Sequence, residues 1–153
     1  MVKPEDMGRF SATIYEEAKR LISMIEGIIK LSRLDENRVE LEWEKVDLYD
    51  LAFRIKNDLQ RRMEEENVSI HIRGIHTTMQ GVYQILYEMF FNVCENAIKY
   101  NHPGGKVVFT VASMNGHPTV IVEDTGIGIP KEDLDRIFER FYRVDKRNSN
   151  PKE

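Results

Sequence analysis

The sequence predicts an α/β (α+β) chain, with a long N-terminal helix of the bundle type followed by a mixed sheet that carries helices on one face. Three observations predict it. Ile14, Ala18, Leu21, Ile25 and Ile28 recur at spacings of 4, 3, 4 and 3, the seam of a helix packed lengthwise against others. Short alternating strands and helical periods interleave downstream. Towards the end, Lys106 to Ser113 and Pro118 to Glu123 flank Asn115-Gly116, which reads as a β-hairpin.

Pro4, Glu5 and Asp6 suit a helix start, because proline fits the first turn and acidic side chains favour the dipole. No proline follows before Leu34, and Ile22 and Ile29 widen the stripe. One helix of about eight turns does not bury such a stripe alone, so it needs a partner. Val39, Leu41 and Trp43 alternate with Glu40, Glu42 and Glu44 as a half-exposed strand. Asp47 is placed to N-cap a helix bearing Leu48, Leu51, Ala52, Ile55 and Leu59 on one face, running on to about Asn67. Val68, Ile70 and Ile72 form a second alternating strand, stopped by Gly74. A largely buried helix is expected from about Thr78 to Tyr100, with Ile85, Leu86, Met89, Phe90 and Val93 among its apolar residues. His102-Pro103-Gly104-Gly105 is a turn by composition, Lys131 to Arg136 a short helix, and Asn148 to Glu153 a frayed polar end.

The chain has 153 residues, 41% hydrophobic and 31% charged, enough for one core and against wholesale disorder. A net charge of -4 excludes a broadly basic surface, so nucleic acid is not an expected partner. The single cysteine, Cys94, excludes an internal disulfide framework. No apolar run reaches the ~18 residues of a membrane span, and the start shows no export signal; a cytoplasmic, reducing setting is expected.

Two clusters carry chemistry. Asn92, Asn96 and Lys99 fall at i, i+4 and i+7 with Glu95 at i+3, on one face of an otherwise apolar helix. Amide oxygens suit Mg²⁺, and a lysine one turn on meets phosphate as a point charge. In isolation the same residues read equally well as a polar cap on the helix C-terminus. The second cluster, Asp124-Thr125-Gly126-Ile127-Gly128-Ile129-Pro130, follows a strand. Its glycines allow close backbone approach, and an aspartate at a strand end accepts from an exocyclic amine. Alone it is also an ordinary glycine-rich turn. It is neither a P-loop nor a dinucleotide fingerprint.

Taken in order, NVCENAIKY, VEDTGIGIP and Arg136-Ile137-Phe138-Glu139-Arg140-Phe141-Tyr142-Arg143-Val144-Asp145 resemble the N box, first glycine box and F box of the catalytic ATP-binding domain of sensor histidine kinases. Ile14 to Glu36 is similar to the second helix of that family's dimerisation and phosphotransfer hairpin. The resemblance implies two domains, 1–36 as half of the hairpin and 37–153 as the catalytic ATP-binding domain. It implies ATP and Mg²⁺ as ligands, with Asn96 and Asn92 at the metal and Glu95 as the acidic residue that activates the attacking histidine. Lys99 would reach phosphate, Tyr100 would line the pocket and Asp124 would read the adenine amine. Gly126, Gly128 and Ile129 would shape the wall. Phe138 and Phe141 would anchor a lid, with core packing at i, i+3 as their alternative role. Arg140 and Arg143 would contact phosphate, or stand on a solvated face.

Two departures qualify this. None of His71, His76, His102 and His117 stands in the family's S-H-E-L-[RK]-T-P phosphoacceptor context, and metal binding by them lacks acidic or cysteine company in the sequence. No second glycine box, G-x-G-L-G, follows the F box. The resemblance implies a piece of a larger kinase, of a family whose members are often anchored in the cell membrane. Its partners would be a histidine-bearing kinase chain, a response regulator, and a second copy through the N-terminal helix. The alternative is a non-enzymatic fragment that pairs with a full-length kinase. A serine kinase on the same ATP-binding fold is a third reading, disfavoured by the hairpin-like helix.

Overall fold

The computed structural model describes residues 14, 15, 18, 21, 22, 25, 42–139, 142 and 144. Expectations resting on Pro4, Ile28, Ile29, Val39, Leu41, Arg140, Phe141, Arg143 and the tail from Asn148 lie outside them. The chain divides into two compact units, Met1–Glu40 with Phe138–Asp145, and Leu41–Ile137 with Lys146–Glu153. In the first unit Ile14, Tyr15, Ala18, Leu21, Ile22 and Ile25 are helical, and all are exposed.

The second unit runs β1 (Glu44–Asp47), α1 (Leu48–Asp58), α2 (Gln60–Glu66), β2 (Ser69–Gly74), β3 (Thr78–Gly81), α3 (Tyr83–Lys99), β4 (Lys106–Met114) and β5 (His117–Asp124). A short 3₁₀ turn, Lys131–Asp133, follows. β1 and β3 form a two-stranded antiparallel ribbon, and β2, β4 and β5 a separate three-stranded sheet in that order. β4 is central, parallel to β2 and antiparallel to β5. This is the predicted mixed α+β arrangement.

Local chemistry accounts for most boundaries. Asp47 Oδ1 accepts from the N–H groups of Tyr49 at 2.8 Å and Asp50 at 3.2 Å, so α1 begins where its cap stands. A bend at Leu59 separates α1 from α2, while Leu59 and Met63 both stay in the core. Asn67 closes α2 in the left-handed region at φ 52°, and the next N–H, of Val68, reaches back to Met63 O at 3.0 Å. Asn115 and Gly116, at φ 52° and 78°, make the β4–β5 turn as predicted.

The core lies between one sheet face and the helices. Val107, Phe109 and Val111 of β4 meet Leu48, Leu51, Ala52 and Ile55 of α1, and Cys94, Ala97 and Ile98 of α3. Phe90 stands edge-on to Phe109 at 5.6 Å between centroids.

Three expectations are corrected. In the described end of the strand expected over Val39 to Glu44, Glu42 and Trp43 are not strand, β1 takes in Glu44 and runs on to Asp47, and Trp43 is 69% exposed. Thr78 to Gly81 is strand rather than helix, because it pairs with β1 in the register Glu44 to Gly81 through Asp47 to Thr78. A partner more than 30 positions earlier overrides the helical period read locally. The helix that follows is not largely buried: Ile85, Met89 and Val93 keep 40%, 47% and 44% of their surface, since only its other face meets the sheet.

Candidate functional site

The last turns of α3 sort residues by the helical period. Cys94, Ala97 and Ile98 point into the core, whereas Asn92, Asn96 and Lys99 are exposed and Glu95 and Tyr100 half-buried. Burial pushes the Cys94 thiol up to about 12, so it serves as an apolar anchor for this part of the helix. Among the described residues, no hydrogen bond occupies the side-chain carboxamides of Asn92 and Asn96. Lys99 Nζ stands 5.4 Å from the centroid of the Tyr100 ring. The side chain that does cap the helix end is Asn101, whose Nδ2 donates to Ala97 O at 3.1 Å. Capping therefore does not explain Asn92, Asn96 and Lys99.

The loop after β5 lies on that helix end. Asp124 Oδ1 accepts from Gly126 N at 2.7 Å, folding the loop on itself. Ile127 N then donates to Tyr100 O at 3.0 Å, and Thr125 N to Lys106 O at 3.1 Å. A Cβ on Gly126 would fall 2.5 Å from Tyr100 O and 2.8 Å from Asp124 Oδ1, so the approach requires glycine. Gly128 adopts φ 69°. Ile127 and Ile129 are 77% and 48% exposed, an apolar rim on the loop.

Thus Tyr100, Asp124 and Gly126 come together at one end of the face bearing Asn92, Asn96 and Lys99, with Gly128 and Ile129 on the same loop. Phe138 belongs to the other unit and is 90% exposed, which overturns core packing as its role. Arg140, Phe141 and Arg143 lie outside the described residues. Two residues that sequence reasoning passed over, Asn101 and Thr125, join the loop to the helix: Thr125 Oγ1 donates to Asn101 Oδ1 at 3.0 Å. Their only signal was a hydroxyl inside the glycine cluster and an amide just past the helix end.

A groove of about 540 Å³ lies elsewhere, between α1, α2 and the start of β2. Lys56, Met63, Val68 and His71 line it, and none of the predicted site residues does. Part of its polar rim is internally paired, Gln60 Nε2 with Glu64 Oε1 at 2.6 Å and Ser69 Oγ with His71 Nε2 at 3.1 Å. Because the predicted site residues stand together on the α3 face and not here, the α3 face is the candidate site.

His76 also departs from expectation, because it does have acidic company. Its Nδ1 stands 3.0 Å from Asp47 Oδ2 and 3.7 Å from Asp50 Oδ1, with Tyr49 against the ring at 4.8 Å. The pairing spans 29 positions and is invisible locally.

Residues 81–153 match the family described as histidine kinase-, DNA gyrase B-, and HSP90-like ATPase. Sensor histidine kinase RppB of Synechocystis is 34% identical over 143 residues, covering 90% of this chain and 31% of RppB. The family model and this relative support a catalytic ATP-binding domain of the sensor histidine kinase type. The structure of mycobacterial sensor histidine kinase MprB is 28% identical, with a TM-score of 0.62 over 67% of this chain and 68% of that one. Histidine kinase ThkA, solved in complex with response regulator TrrA, shares the fold at TM-score 0.72 and 22% identity, over 94% of this chain and 42% of that one. This kinase-type chain spans 28% of sensor protein RprX of Bacteroides fragilis, 30% of sensor protein CreC of Escherichia coli and 31% of RppB. Among the described residues, no helix is long and apolar enough to cross a membrane.

Proposed function

We propose that this chain is the nucleotide-binding part of a cytoplasmic two-component histidine kinase, holding Mg-ATP against the exposed face of α3 and the 124–129 loop. One observation carries the reading: the Ile127–Tyr100 hydrogen bond sets the loop at the end of the face that presents Asn92, Asn96 and Lys99. Asp124 reads the adenine amine through its carboxylate, and Gly126 and Gly128 let the base approach the backbone, with Ile129 and Tyr100 as apolar wall.

Asn96 and Asn92 fit a Mg²⁺ ion, since their carboxamides are exposed and not engaged by described neighbours. Bound there, the ion would neutralise charge on the phosphates, as phosphoryl transfer requires. Lys99 adds a positive charge one turn on, and Glu95 is placed to take the proton from an attacking imidazole. The acceptor is a histidine on a hairpin of the kinase, and a response regulator is the next acceptor; ThkA's complex with TrrA supports that partner class.

Calorimetric titration of the chain with ATP and Mg²⁺ tests this. Saturable binding that Asp124→Asn and Asn96→Ala both abolish supports it, and no heat at millimolar nucleotide contradicts it.

A second reading, pairing through the N-terminal helix with another kinase chain, is favoured by one feature. Ile14, Leu21, Ile22 and Ile25 keep 65%, 59%, 57% and 54% of their surface in a helical segment. Light scattering tests it: the chain should sediment and scatter as a dimer, and Leu21→Asp with Ile25→Asp should return a monomer. An unchanged mass in that variant would contradict the pairing.

A further inference from the structure

The junction between α3 and the glycine loop is organised around one side chain outside the predicted nucleotide contacts. Asn101 Nδ2 donates to Ala97 O at 3.1 Å and to Lys106 O at 3.3 Å. Its Oδ1 accepts from His102 N and from Thr125 Oγ1, each at 3.0 Å. This orientation of the amide is the one the chemistry allows: two carbonyls can only accept, and a backbone N–H can only donate, so a flipped amide would oppose like to like. Thr125 continues the chain of bonds, since its hydroxyl also accepts from Lys106 N at 3.0 Å.

Asn101 therefore touches the last turn of α3, the first residue of β4 and the glycine loop at once. The fold makes room for it. A Cβ on the buried Gly105 would fall 2.1 Å from Asn101 Oδ1, so a glycine is required at that turn. The backbone bond from Ile127 N to Tyr100 O lies immediately beside this hub in the chain.

We infer that Asn101 is a positioning residue of the nucleotide site, which, through Thr125, fixes Asp124 and Gly126 relative to Asn96 and Lys99. This deepens the proposed function and rests on it. Asn101 itself contacts no ligand in this account. It sets the distance between the part that reads the base and the part that meets the phosphates, so its loss should blur recognition of the base as well as weaken binding.

The test uses the full chain with Asn101→Ala, Thr125→Val and the double substitution. Mg-ATP and Mg-GTP affinities are measured by calorimetry, and exchange of the Ile127 amide is compared with that of Phe109 in the core. Each single variant should weaken Mg-ATP about tenfold, roughly the worth of one or two hydrogen bonds, and narrow the preference for ATP over GTP. Ile127 exchange should quicken while Phe109 exchange stays as it was. The double variant should lose no more than the worse single one, because both break the same linkage. Fully additive losses, or Ile127 exchange unchanged in both single variants, overturn the inference. Should Asn101→Ala not fold, Thr125→Val at its exposed position carries the same test. If the parent chain binds no nucleotide, the proposed function falls, while Ile127 exchange still decides whether Asn101 holds the loop.

Discussion

The amide of Ile127 donates to the carbonyl of Tyr100 at 3.0 Å, fastening the glycine loop to the end of the helix that carries Asn92, Asn96 and Lys99. Gly126 makes that contact possible, and the consequence is sharp. Gly126→Ala places a methyl group 2.5 Å from Tyr100 O, which displaces the loop rather than the helix. Nucleotide affinity should fall by at least about tenfold, with the thermal midpoint little changed because no core residue is involved. Calorimetry beside a thermal melt checks both, and retained affinity would show that the loop does not shape the site.

Cap chemistry at Asp47 gives a stability prediction. Removing the side chain in Asp47→Ala should cost about 1 kcal/mol by denaturant titration, the usual loss of an N-cap. Asp47→Asn should cost less, since a carboxamide oxygen can still accept from Tyr49 and Asp50.

The pH dependence of that cap has a definite sign. Burial pushes the Asp47 carboxyl up, but the N–H groups of Asp50 and Tyr49 and the His76 ring together hold it below its ordinary 3.8. A carboxyl depressed in the folded state binds its proton more readily when unfolded, so its contribution is present above that value and is lost as pH falls through the folded one. The stability difference between the parent chain and Asp47→Asn should therefore shrink as pH falls below about 4. Paired urea titrations across that range are the check. A difference that grows as pH falls below about 4 would contradict the assignment.

Two aromatic substitutions separate core from surface. Phe109 is 1% exposed and stands edge-on to Phe90, so Phe109→Ala should cost about 3–5 kcal/mol and leave the unit marginal or unfolded. Trp43, 69% exposed, should tolerate alanine within about 0.5 kcal/mol. Urea midpoints for the two variants should differ widely, and near-equal midpoints would place the core elsewhere.

Cys94 gives an independent reporter of the same core. With 1% exposure and a thiol pushed up to about 12, it should resist a disulfide reagent at pH 8 until the chain unfolds. Rapid labelling of the folded chain would mean that α3 does not seat on β4 as described.

What the sequence revealed and what it hid follow one division. Features set by neighbours in the chain were legible: the Asp47 cap, the Asn115-Gly116 hairpin, the inward face of α1 and the outward face of α3. Features set by distant partners were not. Thr78 to Gly81 reads as the first turn of a helix until β1 is available to pair with it, and Trp43 loses its strand for the same reason. His76 looks isolated because Asp47 lies 29 positions away, and Asn101 looks like loop because Thr125 lies 24 positions on. The exposure of Ile85, Met89 and Val93 was hidden too, since an apolar residue type does not say what stands in front of it.

The most direct test of the central claim is calorimetry of the whole chain with Mg-ATP. Saturable binding to one site is expected, abolished by Asp124→Asn and by Asn96→Ala, with both variants melting like the parent. Binding that survives both substitutions, or no heat at millimolar nucleotide, would contradict it.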